Sequence, residues 1–215
     1  MGRRKKAPRT LHRDVIASAA SRLFREQGLA ATSMDDIAKA ADYSKATLYV
    51  YFKNKEEIIH ILVLKSMSRL YDFLSAALDE QETTRGRYDA ICQGLVRYQA
   101  EFPLYFEMVL DQIDPVWNQQ ACLPEEVETY RIGEKINEEL KVFFLDGIAR
   151  GELKRDLDIL PTIFAFWGML SGLIQLAAKK EAYLQTAMHV SRQQFLAHGF
   201  DMLYQSIGNG KVERT

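Results

Sequence analysis

Between Tyr43 and Glu57 the chain concentrates its most reactive-looking side chains: Lys45, Lys53, Lys55, Ser44, Thr47, Tyr43, Tyr49 and Tyr51. These are ammonium, hydroxyl and phenol groups, suited to donating hydrogen bonds to a polyanion rather than to nucleophilic attack or general acid–base work. Their spacing predicts a short helix followed by a turn. Just upstream, Ser33-Met34-Asp35-Asp36-Ile37-Ala38-Lys39-Ala40-Ala41 predicts another short helix, with Asp42-Tyr43 barely long enough to turn the chain. Two short helices joined so tightly, the second rich in cations and hydroxyls, match a helix-turn-helix; an ordinary helical hairpin with solvated charges is the alternative.

The turn chemistry fits. Ser33 with Asp36 three residues on forms a capping-box pattern. Ser44 is an N-cap candidate whose neighbouring amides suit a phosphate oxygen. Ile37, Ala38 and Ala41 offer one apolar stripe, and Leu48 with Phe52 another at i, i+4, so the two helices can bury against each other. Upstream, Arg13 to Gln27 predicts a third helix with Val15, Ile16, Ala19, Ala20, Leu23 and Phe24 on one face, ended by Gly28. Residues 1–9, with Arg3, Arg4, Lys5, Lys6 and Pro8, are too polar to fold alone and are expected to form a disordered basic arm. No apolar stretch follows them, so they do not form a secretory signal.

Charge divides the chain. Residues 1–56 hold twelve Lys and Arg against six Asp and Glu, a net +6, while the whole chain is −1, leaving −7 on the remainder. A basic head on an acidic body suggests one end for phosphates and another for a different task.

From about Thr10 to Leu64 the chain resembles the N-terminal domain of the tetracycline-repressor (TetR) family of bacterial regulators. The resemblance rests on Ile16–Gly28, Thr32–Ala41, Ser44–Phe52 and Lys55-Glu56-Glu57, in order and at the family's spacing. Ala46 stands where the family often has glycine, and Val50 where it often has histidine; Val50 bears on base preference if it faces the groove. The resemblance implies that Lys45 and Thr47 face base edges or nearby phosphates, and that Tyr49 donates its hydroxyl to a phosphate. Thr32 or Ser33 and Lys55 are implied to hold backbone phosphates on the flanks, with Ser44 at the helix start. Tyr51 and Phe52 are expected to close the small core instead. The expected domains are a head at 10–56 (helix-turn-helix about 33–52), a helical body at 57–207 and a disordered tail at 208–215.

Past Asn54 the pattern is helical throughout. A long helix over 56–78 begins in the head and runs into the body, so it can transmit movement between them. Further helices are predicted at 87–100, 103–111, 125–149, 159–179 and 186–207, separated by Pro and Gly punctuation. The fold class is therefore all-α with about nine helices, and the resemblance implies a three-helix DNA-binding head joined by a long helix to a ligand-binding and dimerisation body. The body is aromatic, which core packing explains in part; an apolar cavity with a few polar fixers is the usual make-up of a small-molecule site. The resemblance implies such an effector pocket, with Phe102, Phe106, Met108, Gln112, Trp117, Tyr130, Phe143, Phe164 and Trp167 as candidates. In the last two long helices, Gly168, Ser171, Gly172, Leu173, Ile174, Leu176, Phe195, Leu196, Gly199, Met202 and Leu203 suit close packing, either within the chain or in the four-helix homodimer interface that the resemblance implies.

Other chemistries lack their residues. Cys92 and Cys122 are too few for a disulfide framework and point to a reducing cytoplasm. His12, His60, His189 and His198 are scattered, so neither a metal nor any cofactor is expected. No nucleophile elbow, P-loop or dinucleotide fingerprint occurs, and no apolar run is read as long enough to span a membrane. The expected partners are palindromic double-stranded operator DNA, a small apolar or amphipathic effector and a second copy of the chain. The expected function is that of a ligand-released repressor. The alternatives are a regulator activated by its ligand or lacking one, or an enzyme or carrier that retains a vestigial head.

Overall fold

Ser, Thr, Pro and Gly stand at many of the helix ends of this chain. A computed structural model describes residues 8–79, 81–111 and 123–210. Among these residues there are ten helices and no strand: α1 (Arg9–Gln27), α2 (Met34–Ala40), α3 (Lys45–Tyr51), α4 (Lys55–Asp79), α5 (Thr84–Glu101), α6 (Pro103–Asp111), α7 (Pro124–Ala149), α8 (Ile159–Lys179), α9 (Glu181–Ala187) and α10 (Arg192–Ile207). Side-chain caps open α2 (Ser33), α3 (Ser44), α5 (Thr83) and α10 (Ser191), each accepting an amide N–H from the first turn. Gly28 ends α1 at φ +85° and ψ 158°, a conformation in which only glycine is unstrained.

The chain divides into two compact units. One contains the described residues through Met67 together with those from Leu104 to Tyr130; the other contains those from Ser68 to Pro103 and from Arg131 onward. In the first unit, α1, α2 and α3 close on Ile16, Ala20, Phe24, Ile37, Leu48 and Phe52, all buried, with Ile58 and Leu62 of α4 completing the cluster. In the second unit, α5 packs on α8 and α10. There the Tyr88 hydroxyl donates to the Phe200 carbonyl at 2.8 Å, and the Tyr88 ring lies against Tyr204 and edge-on to Phe166. Gly147 allows the closest approach in this unit: a Cβ there would lie 2.7 Å from Leu153 Cδ1 and 2.8 Å from Thr84 Cγ2.

Four sequence-based expectations are corrected. Helix α1 begins at Arg9 rather than Arg13, because Pro8 precedes the first turn and its carbonyl accepts the Leu11 N–H at 3.0 Å; residues 1–7 lie outside the described residues. The single helix expected over 186–207 is two. His189 at φ 55° breaks it, and Ser191 with Gln194 opens α10 through a capping box. The expected disordered tail begins too early: Lys154 donates its N–H to Ile207 at 2.9 Å, and Asn209 donates to Glu152 at 3.0 Å, tying 208–210 down; 211–215 lie outside the described residues. Finally, α8 is long and apolar enough to cross a membrane by length and composition, contrary to the expectation of no such run.

Candidate nucleic-acid interface

The interface grows from the α2 cap. Ser33 Oγ accepts the Asp36 N–H at 3.2 Å and Asp36 Oδ2 accepts the Ser33 N–H at 3.0 Å, a reciprocal box. The hydrogen bonds from Ser33, side chain first and then backbone, hold the Asp36 carboxyl below its ordinary 3.8. Between the helices, Asp42 adopts φ 60°, a left-handed position that aspartate tolerates, and the Tyr43 N–H reaches the Ala38 carbonyl at 2.9 Å. Ser44 Oγ then accepts the Thr47 N–H at 3.1 Å and lies 2.7 Å from the Thr47 hydroxyl.

Helix α3 buries Leu48 fully and turns Lys45, Ala46, Tyr49 and Val50 outward. Val50 is 65% exposed and Tyr49 45%, so both side chains are open to a partner. The Lys45 ammonium stands 2.8 Å from Asp35 Oδ1 and 3.0 Å from Oδ2, and that hydrogen bond raises its pKa, so it is a cation at neutral pH.

The α1 helix braces this surface. Arg9 donates to the Val50 carbonyl at 3.2 Å; His12 Nδ1 lies 2.5 Å from the Tyr43 hydroxyl, and its ring stacks on Tyr51 at 5.1 Å. The Arg13 guanidinium sits 4.9 Å above the Phe52 ring and pairs with Glu125 at 3.0 Å. Phe52 is buried in the core and Tyr51 packs half-buried against it, as expected from the sequence.

Two of the seven candidate DNA contacts have other work. Thr32 is 1% exposed; its hydroxyl donates to the Gly28 carbonyl at 2.8 Å and accepts from Gln27 Nε2 at 3.2 Å. Lys55 donates to the Leu29 carbonyl at 2.8 Å and the Thr32 carbonyl at 3.0 Å, latching the α1–α2 loop to the start of α4. Sequence reasoning missed Asp35, Arg9 and His12, whose roles depend on how the helices cross rather than on spacing along one of them.

The effector candidates are not gathered into one cluster. Met108 belongs to the core of the first unit, where Phe106 is also buried and Tyr130 is half exposed. In the second unit, Phe143 is buried edge-on against Phe144; Phe164 is exposed, and Phe102 packs with Phe73 and Tyr98 near Arg69. Trp167 is half-buried on α8, while Gln112 and Trp117 lie outside the described residues. Instead, a shallow apolar groove of about 350 Å³ runs along α8 and α10, lined by Gly168, Gly172, Leu176, Gly199, Met202 and Leu203 among others. Of the dimer candidates, Ser171, Ile174 and Leu196 are buried within the chain instead. Among the described residues no three His, Cys, Asp or Glu side chains converge on a metal position. Cys92 is a buried thiol, pushed up to about 12 by that burial, and so is inert at neutral pH.

A tight helix-turn-helix on a closed three-helix core, with the face of its second helix outward, defines a DNA-binding head of transcription regulators. Residues 16–61 match the family described as bacterial regulatory proteins, tetR family. That match falls within the DNA-binding head. The chain is 37% identical over 76 residues to the biofilm operon icaADBC HTH-type negative transcriptional regulator IcaR of Staphylococcus epidermidis, a match covering 35% of this chain and 41% of that protein. It is 25% identical over 183 residues to the probable HTH-type transcriptional regulator ArpR of Pseudomonas putida, covering 81% and 83%. Its fold matches the ketosteroid transcriptional regulator KstR2 of Mycobacterium tuberculosis with a TM-score of 0.65 at 17% identity, over 91% of this chain and 94% of that one.

Proposed function

We propose that this chain is a homodimeric repressor that binds a palindromic operator through α3 and leaves it when a small apolar or amphipathic effector binds. The outward face of α3 carries this reading: Lys45, Tyr49 and Val50 stand exposed on a core that Leu48 and Phe52 close beneath them. Ser33, Ser44, Thr47 and Tyr49 offer hydroxyls for phosphates or base edges, while Thr32 and Lys55 support that surface from below.

The second head comes from a second copy. The α8–α10 groove is lined by apolar side chains and glycine, Leu176 is 47% exposed and Met202 59%, and a two-fold axis through this patch would bury it against its own copy. The aromatic content of the second unit supports an apolar effector, and Phe102 and Trp167 are the residues we assign to it first. A repressor mechanism requires that the effector prefer the conformation in which the two heads cannot both engage DNA.

Light scattering of Gly172→Glu tests the assembly: a monomer supports it, and an unchanged dimer places the interface elsewhere. Sedimentation with anionic lipid vesicles separates the competing occupant of α8. Binding of the wild-type chain to vesicles, with no self-association, overturns the dimer. Fluorescence anisotropy on duplexes selected from a random pool tests DNA binding itself.

A further inference from the structure

Resting on the DNA-binding reading above, we infer that Asp35 and Lys45 act as one charge-neutral couple that reads a base-pair edge carrying an acceptor beside a donor and rejects bare phosphate. The two residues lie ten apart, one in the first turn of α2 and the other opening α3, and meet at the start of the outward face. Both carboxylate oxygens of Asp35 hold the same ammonium, at 2.8 and 3.0 Å, while the side chains remain 49% and 62% exposed. Asp35 has no part in the α2 cap. Its neighbour Asp36 fills the capping box with Ser33, so the Asp35 carboxylate is directed to Lys45 alone among the described hydrogen bonds.

The chemistry of the two targets then differs. A phosphate presents only acceptors and negative charge, so Asp35 repels it as strongly as Lys45 attracts it. A G·C edge in the major groove presents acceptors, guanine N7 and O6, beside a donor, cytosine N4. Lys45 keeps Asp35 and gives its remaining N–H to guanine; the outer lone pairs of Asp35 accept from cytosine N4. An A·T edge offers the couple the same kind of pairing on adenine alone, with the N7 acceptor for Lys45 beside the N6 donor for Asp35. Asp35 is thus a specificity-determining residue, and Lys45 contributes to reading sequence rather than to general affinity.

The test selects binding sites from a random-core duplex pool with wild type, Asp35→Asn and Lys45→Gln, and follows anisotropy against salt on one fixed, unselected duplex. Wild type should select sites with one fixed base pair, in one orientation, at one position of each half-site. Both variants should lose about tenfold or more of the discrimination at that position and keep the others. On the unselected duplex, Asp35→Asn should steepen the slope of log affinity against log salt by about 0.9, because the freed Lys45 now meets a phosphate; Lys45→Gln should leave it unchanged. If Asp35→Asn loses helical content, Lys45→Gln alone decides the matter. Variants that keep the wild-type base preference and wild-type slopes overturn the couple while leaving DNA binding intact. A wild-type chain that binds no duplex overturns the DNA-binding reading, and the couple with it.

Discussion

Replacing Gly168 and Gly172 with alanine gives opposite signs in the free chain and in a dimer through α8. Both glycines lie inside α8, and a Cβ built at either meets no atom within 4 Å. An exposed glycine within a helix is less favourable than alanine by about 0.8–1.0 kcal/mol, so in the free chain the double variant gains about 2 kcal/mol. For a chain of this length that raises Tm by about 4–8 °C. If a second copy packs against these positions, four methyl groups enter the contact, and overpacking of that kind costs about 1–3 kcal/mol per site. Dimer dissociation then rises, and Tm becomes lower and more dependent on protein concentration. Thermal melts at several concentrations, with light scattering on the same samples, read both quantities. A Tm raised by several degrees at every concentration, with unchanged mass, would refute the placement of the interface on this face.

Removal of the Lys55 latch by Lys55→Met should cost about 1–3 kcal/mol of stability, since two carbonyls lose a charged donor. The salt slope of DNA binding should stay as it was; a slope shallower by about 0.9 would make Lys55 a phosphate contact instead. Asp146, held below its ordinary 3.8 by the hydrogen bond from Arg150 and by the charges of Arg150 and Arg87, should contribute stability above that value and lose it as pH falls through the lower folded value. Asp146→Asn should therefore show a smaller drop in Tm between about pH 5 and pH 3 than wild type, and an equal drop would contradict this.

The elements most legible in the sequence are those governed by local rules. Ser33, Ser44 and Gly28 mark helix ends through bonds within four residues, and each does so in the structure. Ile16, Ile37, Leu48 and Phe52 are recognisable as core because helical periodicity puts them on inward faces. Ser191 and Gln194 carried the same capping signal as Ser33 and Asp36, but the apolar run on both sides of His189 masked it. The roles of Lys55 and Asp35 were not legible. Each depends on the angle between helices, which brings Lys55 to a loop 23 residues away and Lys45 to a carboxylate ten residues back. The aromatic side chains were the hardest to read. Burial of Phe143 and exposure of Phe164 differ through helix facing and packing, not residue type.

If the outward face of α3 meets DNA, Val50→Glu must disrupt binding. Val50 is 65% exposed in the last turn of α3, so the substitution should leave stability within about 0.5 kcal/mol. A carboxylate there faces phosphates on every duplex. Anisotropy on a duplex selected by the wild-type chain should show affinity reduced about tenfold or more, with helical content and mass unchanged. Wild-type affinity in Val50→Glu would contradict the assignment of α3 as the reading helix.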